Sequence, residues 1–297
     1  MKAQLDILSA GRIYADLILA GLDADPAPGR EVYAKQFVLV PGGGAFITGA
    51  YAAALGSRTG LYGLLPAPPF DTCIRDGIAA AGLVAHVAPA PAGSDPQLTV
   101  AITGTHDRSF ITRRPGRALP DGPLPAASHL HVGELATALE QPDLIAQARQ
   151  AGMSVSLDCG WDAAVLADPR VPRIVAEVDL FLPNAEEAAQ LAMHGHRLSP
   201  RHALVVKRAA EGATAQVDNQ DYSVTAPQVS VVDATGAGDA FNAGFVTAWL
   251  SGANTQDCLA AGVACGAKAV TRIGGATDLG RLDLRAEPPA KTHDKLH

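Results

Sequence analysis

The chain has few of the residues that mark a nucleic-acid binder, a disulfide scaffold or a membrane protein. Its 297 residues include 23 Lys+Arg against 30 Asp+Glu, a net charge of −7. No basic stripe is available to neutralise a phosphate backbone, so nucleic acid is not expected as a partner. Only four cysteines are present, and Cys73, Cys159, Cys258 and Cys265 lack C-x-x-C spacing. They read as reduced packing thiols. The pairs His129/His131 and His194/His196 have no carboxylates nearby at ligand spacing, which argues against a metal centre built on them. Asp6, Arg12 and Asp16 interrupt the N-terminal apolar stretches. Neither a signal peptide nor a membrane span is expected, and the protein is expected in the cytoplasm.

What is present is a hydrophobic fraction of 48% with 18% charged residues, the balance of a globular chain with a large core. The 30 glycines and 21 prolines are spread along the chain and read as many turns between short elements. From Leu130 onward, short apolar strands (His129 to Val132, Ser154 to Leu157, Leu180 to Leu182, Ala203 to Val206) alternate with helical segments such as Pro142 to Ala151 and Glu186 to Met193. That rhythm predicts an α/β fold, doubly wound, with a mostly parallel central sheet and helices on both faces. The earlier strands, Leu5 to Ala10, Ala15 to Ala20, Glu31 to Val40, and Leu98 to Thr103 with Ser109 to Thr112 as a hairpin about His106-Asp107, carry little helix between them. One domain over residues 1–286 is expected, with a polar, disordered tail at 287–297.

The most informative stretch is Val231-Val232-Asp233-Ala234-Thr235-Gly236-Ala237-Gly238-Asp239-Ala240-Phe241. Gly236 and Gly238 leave backbone N–H groups free to converge on an anion, and the helix that follows adds its positive end. Phe241, Gly244, Phe245, Ala248 and Trp249 share one face of that helix, and Val229 to Val232 reads as the strand before the turn. Asp239, on the first helical turn, is expected to be ionised by the dipole and able to accept a proton from an attacking hydroxyl. A bare Gly-x-Gly-Asp also reads as an ordinary strand-to-helix turn with a first-turn charge. Other nucleotide motifs fail on spacing: Gly44 and Gly49 are followed by Ala50-Tyr51 where a P-loop needs Lys and Ser/Thr, and Phe241 stands where a dinucleotide fingerprint needs glycine.

The longer run resembles the C-terminal signature of the ribokinase-like (PfkB) carbohydrate kinases, D-T-x-G-A-G-D followed by a small residue and an aromatic, with Ala234-Thr235 in reversed order. The resemblance extends from Leu5 to about Gly275. It implies a small β-sheet lid assembled from about 13–22, 31–40 and 98–112, closing over the acceptor sugar; such lids often pair between subunits, which allows a homodimer without fixing the oligomeric state. It implies ATP-dependent phosphoryl transfer to a sugar hydroxyl, with Asp239 as base and the N–H groups of Gly236, Ala237 and Gly238 as the anion hole. Asp16 matches the aspartate of the N-terminal G-x-x-x-x-D pattern and is expected to bind the acceptor. Gly42-Gly43-Gly44-Ala45-Phe46-Ile47-Thr48-Gly49-Ala50 resembles G-G-x-x-x-N-x-A, with Gly42 and Gly43 beside the acceptor. Ile47 replaces the asparagine that commonly reads a sugar hydroxyl, a loss that Thr48 or Thr103 can offset. Arg108, Arg113 and Arg114 read either as solvated strand-edge charges or as ligands of an acidic acceptor.

On the nucleotide side, Asn184 and Glu187 resemble the N-x-x-E element that organises Mg2+ and phosphate through water, and equally fit a helix cap. Asp158 matches another polar position near the cleft. Lys207 and Gly212 fall in the place of the K/T-x-G-x-x-G-A nucleotide loop, with Ala209 in place of its first glycine. Gly274-Gly275-Ala276, after a helix over Thr255 to Val270, resembles the final turn beside adenine, and Asp233 with Thr235 matches ligands of a monovalent cation such as K+. Two other readings stay open: a nucleoside kinase whose lid offers Phe37, Phe46 and Phe110 to a base, and a sugar-binding regulator on the same fold without turnover.

Overall fold

In this computed structural model residues 5–103, 108–272, 274–277 and 279–283 are described. The turn at His106-Asp107 and the segment 287–297 lie outside them. In chain order the elements are β1 (Leu5–Ala10), β2 (Tyr14–Ala20), β3 (Gln36–Gly42), α1 (Gly44–Ala54), β4 (Thr59–Leu64), α2 (Asp71–Ala80) and β5 (Val84–Ala88). There follow β6 (Leu98–Thr103), β7 (Arg108–Arg113), β8 (Ala127–Val132), α3 (Leu135–Glu140), α4 (Leu144–Gln150), β9 (Ser154–Asp158), α5 (Ala163–Leu166) and α6 (Val171–Glu177). The chain continues through β10 (Leu180–Leu182), α7 (Ala185–Met193), β11 (Ala203–Lys207), β12 (Ala213–Val217), β13 (Gln220–Val224), α8 (Ala237–Leu250) and α9 (Thr255–Ala269).

These strands form two sheets. The central one runs β13-β12-β11-β10-β9-β8-β1-β4-β5, parallel throughout except for the antiparallel β11–β12 and β12–β13 pairs. One buried cluster packs β1, β4, β10 and β11 against α1, α8 and α9; a second lies on the opposite face under α3, α4 and α6. Strands covered on both faces must be apolar almost continuously, as Leu180-Phe181-Leu182 is. The second sheet, β3-β2-β6-β7, is the separate lid.

A buried guanidinium anchors the lid. Arg12, 2% exposed, donates to Gln97 Oε1 just before β6, to the carbonyls of Pro115 and Gly116 just after β7, and to Glu140 at the end of α3 (2.5 Å). Its Nε lies 3.6 Å from Glu134. A single planar fork thus ties the connections into and out of the lid to the main domain.

Three expectations need correction. The third lid strand begins at Gln36, not Glu31, and runs on through Pro41 to Gly42, because β2 ends at Ala20, which pairs with Gln36. The helix expected over Pro142 to Ala151 begins at Leu144, and a separate helix, α3, precedes it. Val229 to Val232 is not a strand: the segment has no sheet neighbour, Val229, Val231 and Val232 are 41%, 66% and 52% exposed, and the Val232 N–H bonds the carbonyl of Val270 at the end of α9. Alternating β-branched residues need a neighbouring strand to become one.

Ala209 lies in a tight turn after β11 with φ 49°, a left-handed conformation that costs a Cβ-bearing residue free energy. Ala209→Gly is expected to raise stability by about 0.5–1 kcal/mol, the relief of that strain less the added flexibility of the unfolded chain. Urea denaturation checks this; an equal or lower midpoint contradicts it.

Candidate active site

The parallel strands of the central sheet all end on one side, and there two helix N-termini converge. Gly236, with φ 73°, caps α8 in the left-handed conformation that glycine adopts without strain. The N–H groups of the first turn have no carbonyl within the helix to bond. That of Ala237 bonds the Ala234 carbonyl at 3.3 Å, so of the three donors expected from the sequence this one already has a partner.

Asp239, on the same turn, reaches toward the first residue of α1. A methyl group on Gly44 would lie 2.9 Å from Asp239 Oδ1 and 2.6 Å from the Gly133 carbonyl oxygen. Only glycine lets α1 approach β8 and the carboxylate this closely. Thr48, on the next turn of α1, is buried and donates its hydroxyl to the backbone carbonyl of Asp239 at 3.2 Å. Its expected part in reading the acceptor gives way to a tie between α1 and α8. Ile47 packs against the glycine turns: methyls built on Gly236 and Gly275 would lie 3.0 and 3.2 Å from its side chain. The place of the expected asparagine is therefore a packing position beneath the glycine turns.

On the lid side, Asp16 folds back over β3, and a methyl on Gly42 would overlap its carboxylate. A methyl on Gly43, which caps α1 at φ 94°, would overlap the Arg12 carbonyl. Both glycines are thus demanded by packing. Burial pushes the Asp16 carboxyl up to about 7, against a hydrogen bond from Thr99. The arginines near the lid hairpin divide: Arg113 pairs with Asp95 on the exposed surface and Arg114 with Asp162. The side chains of Arg108 and Thr103 lie outside the described residues.

A buried charged network stands at the ends of β9 and β11 in the central sheet. Lys207, at the end of β11, bonds Asp158 Oδ1 at 2.8 Å and Asn242 Oδ1 at 3.2 Å, and Asn242 Nδ2 donates to Asp158 Oδ2 at 2.6 Å. A methyl on Gly238 would lie 3.4 Å from Lys207 Nζ, so the ammonium stands beside the glycine turn. Burial works against its charge, but Asp158 and Glu187 hold its pKa above the ordinary lysine value. Asn184 and Glu187 form a reciprocal capping box at the start of α7: Glu187 N–H to Asn184 Oδ1 (2.9 Å) and Asn184 N–H to Glu187 Oε2 (2.8 Å).

Burial, Asp158 and, less strongly, Glu187 and Asp16 push the Asp239 carboxyl up to about 7, against the pull of Lys207. Glu187 is likewise raised to about 7, by burial first and then by Asp158. The expectation that the dipole alone keeps Asp239 ionised is thereby corrected. A dipole contributes at most about 2 kcal/mol, and desolvation among neighbouring carboxylates outweighs it.

Gly212 serves a tight turn, where a methyl would overlap the carbonyl of Val224. Gly275 accepts from the buried Tyr51 hydroxyl at 3.1 Å. Asp233 accepts from the N–H and hydroxyl of Thr235 (2.9 and 2.6 Å) and from the N–H of Gly274 (3.0 Å), which clamps the glycine turn to the segment after α9. Among the described residues no three His, Cys, Asp or Glu side chains converge as a metal cluster. His129 and His131, fully buried, instead bond Ser154 and Ser156 and are pushed down by burial to about 3 and 4, so both are neutral. Sequence reasoning missed Asn242 and the pairing role of Asp158; only the 3.6-residue period, which puts Asn242 one turn after Asp239, hinted at the former.

The family model described as pfkB family carbohydrate kinase matches residues 4–280. A nucleoside kinase of Methanothermobacter thermautotrophicus is 25% identical over 87% of each chain. An uncharacterized sugar kinase of Archaeoglobus fulgidus is 31% identical over 43% of this chain, which spans 54% of that protein. A crystal structure of an E. coli ribokinase II candidate in complex with ATP and Mg2+ superposes with a TM-score of 0.77 at 20% identity, covering 94% of this chain and 96% of that one. The likeness in structure establishes a ribokinase-like fold.

Raised carboxyl pKa values have a sign for stability. The folded state binds protons to Asp16, Glu187 and Asp239 more tightly than the unfolded chain does. The contribution of these groups is therefore full below about pH 4 and is lost as pH rises through about 7. Asp239→Asn is accordingly expected to stabilise the ligand-free protein at pH 8 by on the order of 1–3 kcal/mol and to change little at pH 4. Thermal melts at the two pH values test this; a destabilised variant at pH 8 contradicts it.

Proposed function

Because the chain belongs to the pfkB family of carbohydrate kinases, we propose that it transfers the γ-phosphoryl group of ATP to a hydroxyl of a small sugar or sugar derivative, in line and without a covalent intermediate. The observation that carries this reading is the Asp239 carboxyl on the first turn of α8, which lies 2.9 Å from a methyl built on Gly44 and feels the charge of Lys207. A hydroxyl bound between Asp16 and Asp239 gives its proton to Asp239. The N–H groups at Gly236 and Gly238 and the Lys207 charge offset negative charge on the transferring group. Ala237 has a smaller part than the sequence implied, since its N–H has a partner within the turn. Asn242 and Asp158 hold Lys207 toward the phosphate side.

The residues present suit Mg2+ as the phosphate counter-ion. Asp158, Glu187 and Asp239 do not converge as a ligand cluster, but the charge of Asp158 raises the Glu187 and Asp239 carboxyls, and a divalent cation carried on the nucleotide phosphates would offset that repulsion. Glu187 would hold it through water, because its Oε2 is already engaged in the capping box. Bound there, the ion neutralises phosphate charge. The exposed Val229, Val231 and Val232, which lead into the glycine turn, offer an apolar surface to the adenine base.

A second reading, a nucleoside as acceptor, is favoured by the nucleoside kinase that aligns over 87% of each chain and by the exposed lid aromatics Phe37 and Phe110. ATP consumption with magnesium across free sugars, sugar derivatives and nucleosides separates the two. Silence with every acceptor while ATP still binds would support a sugar-binding regulator without turnover.

Asp239→Asn is expected to keep the fold and ATP binding and to lose on the order of 10²–10⁴ in kcat, the range for a general base. Near-normal turnover in that variant overturns the assignment. In the wild-type enzyme kcat/KM is expected to rise with pH through about 7, as the Asp239 carboxyl of the free enzyme ionises; a profile flat from pH 5 to 8 contradicts the base.

A further inference from the structure

Two buried histidines that the phosphoryl transfer above does not use lie in a row leading toward Asp158 and Lys207. His129 and His131 alternate on β8 and stand beside Ser154 and Ser156 of β9 in the parallel register. His129 Nδ1 is 2.7 Å from Ser154 Oγ, His129 Nε2 is 2.7 Å from Ser156 Oγ, and Ser156 Oγ is 2.9 Å from His131 Nδ1. Trp249, near the end of α8, meets the His129 ring edge-on at one end of the row. At the other end His131 Nε2 is buried without a hydrogen-bond partner among the described residues.

Counting protons leaves this row two orders. Each ring is neutral and carries one N–H, and the single hydroxyl proton of Ser156 serves one of its two ring neighbours. If Ser156 donates to His129 Nε2, His131 carries its N–H on Nδ1 and its buried Nε2 is a bare acceptor. If Ser156 donates to His131 Nδ1, His129 donates to Ser156 and His131 carries its N–H on Nε2. The neighbouring charges choose between them. His131 feels Asp158 more strongly than Lys207, which favours a donor at Nε2. Asp158 has a place for that donor: Oδ1 accepts from Lys207 Nζ and from the Cys159 N–H, each at 2.8 Å, whereas Oδ2 accepts from Asn242 alone among the described residues.

We propose that His131 is a positioning residue for phosphoryl transfer: its Nε2–H, linked to Asp158 Oδ2 through one buried water, holds the carboxylate while Lys207 turns to the phosphate. This rests on the kinase reading above. Nε2 makes no direct bond, and a buried polar atom of that kind is where proteins keep an ordered water. Donors on a carboxylate favour its ionised form, and the charge of Asp158 is what holds Lys207.

Nitrogen-15 spectra of histidine-labelled protein at pH 7 report the tautomer of each ring with no substrate present. His131 is expected in the Nε2–H form; an Nδ1–H form overturns the inference whatever the activity. Substitution then separates the two ring nitrogens, because the amide of His131→Gln reaches the place of Nε2 and that of His131→Asn the place of Nδ1. His131→Asn is expected to lower kcat by on the order of 10-fold or more, the effect of one lost hydrogen bond to a charged group, with the KM for the acceptor little changed. His131→Gln is expected to keep most of the wild-type kcat. Equal rates in the two variants, or a larger loss in His131→Gln, would show that His131 serves only its bond to Ser156 and overturn the inference. An Nε2–H tautomer in a wild-type protein silent toward every acceptor upholds the link to Asp158 and overturns the kinase reading.

Discussion

The site depends on how closely two helix N-termini approach each other. Gly44 opens α1 against the carbonyl of Gly133, and Asp239 on the first turn of α8 lies directly over it. The contact is fastened by the Thr48 hydroxyl on the Asp239 carbonyl and by Ile47 packed under Gly236 and Gly275. Any side chain at Gly44 would push α1 away from β8 and the carboxylate away from the glycine turn. The Asp233 clamp on Thr235 and Gly274 and the Tyr51 hydroxyl on the Gly275 carbonyl extend the same fixture to the segment after α9. Placement is what a phosphoryl-transfer site chiefly has to supply, because the protein contributes little covalent chemistry of its own.

That placement is held at an electrostatic cost. Asp158, Glu187 and Asp239 share one lysine, and burial raises Glu187 and Asp239 well above ordinary carboxyl values. The ligand-free cleft therefore relieves the repulsion among these carboxyl groups by holding protons, and shifts of this kind cluster at functional sites. A magnesium ion placed beside these carboxylates would bring compensating positive charge and draw Asp239 toward its ionised form. Lys207, tethered to Asp158 and Asn242, keeps its charge beside the turn.

Much of this was legible in the residues. The strand and helix rhythm after Leu130 reflects a sheet covered on both faces, and the glycine turn before Asp239 is a local feature that needs no tertiary information to recognise. The lid segments were legible in outline, and their ends were not, since pairing register rather than propensity stops β3 at Gln36. Val229 to Val232 has the composition of a strand but no neighbour to pair with. Thr48 and Asn242 owe their duties to partners 191 and 35 residues away in the chain, which spacing cannot reveal. The protonation of Asp239 is likewise a property of burial and of neighbours from four separate segments.

The central claim, that catalysis rests on the apposition of Gly44 and Asp239, is tested most directly by Gly44→Ala, with kcat measured beside the dissociation constant for ATP. The account predicts a kcat lower by on the order of 10²-fold, the effect of displacing a reacting group by about 1 Å, with ATP affinity little changed. A variant that turns over at the wild-type rate would show that Asp239 does not need that close approach, and would contradict the account.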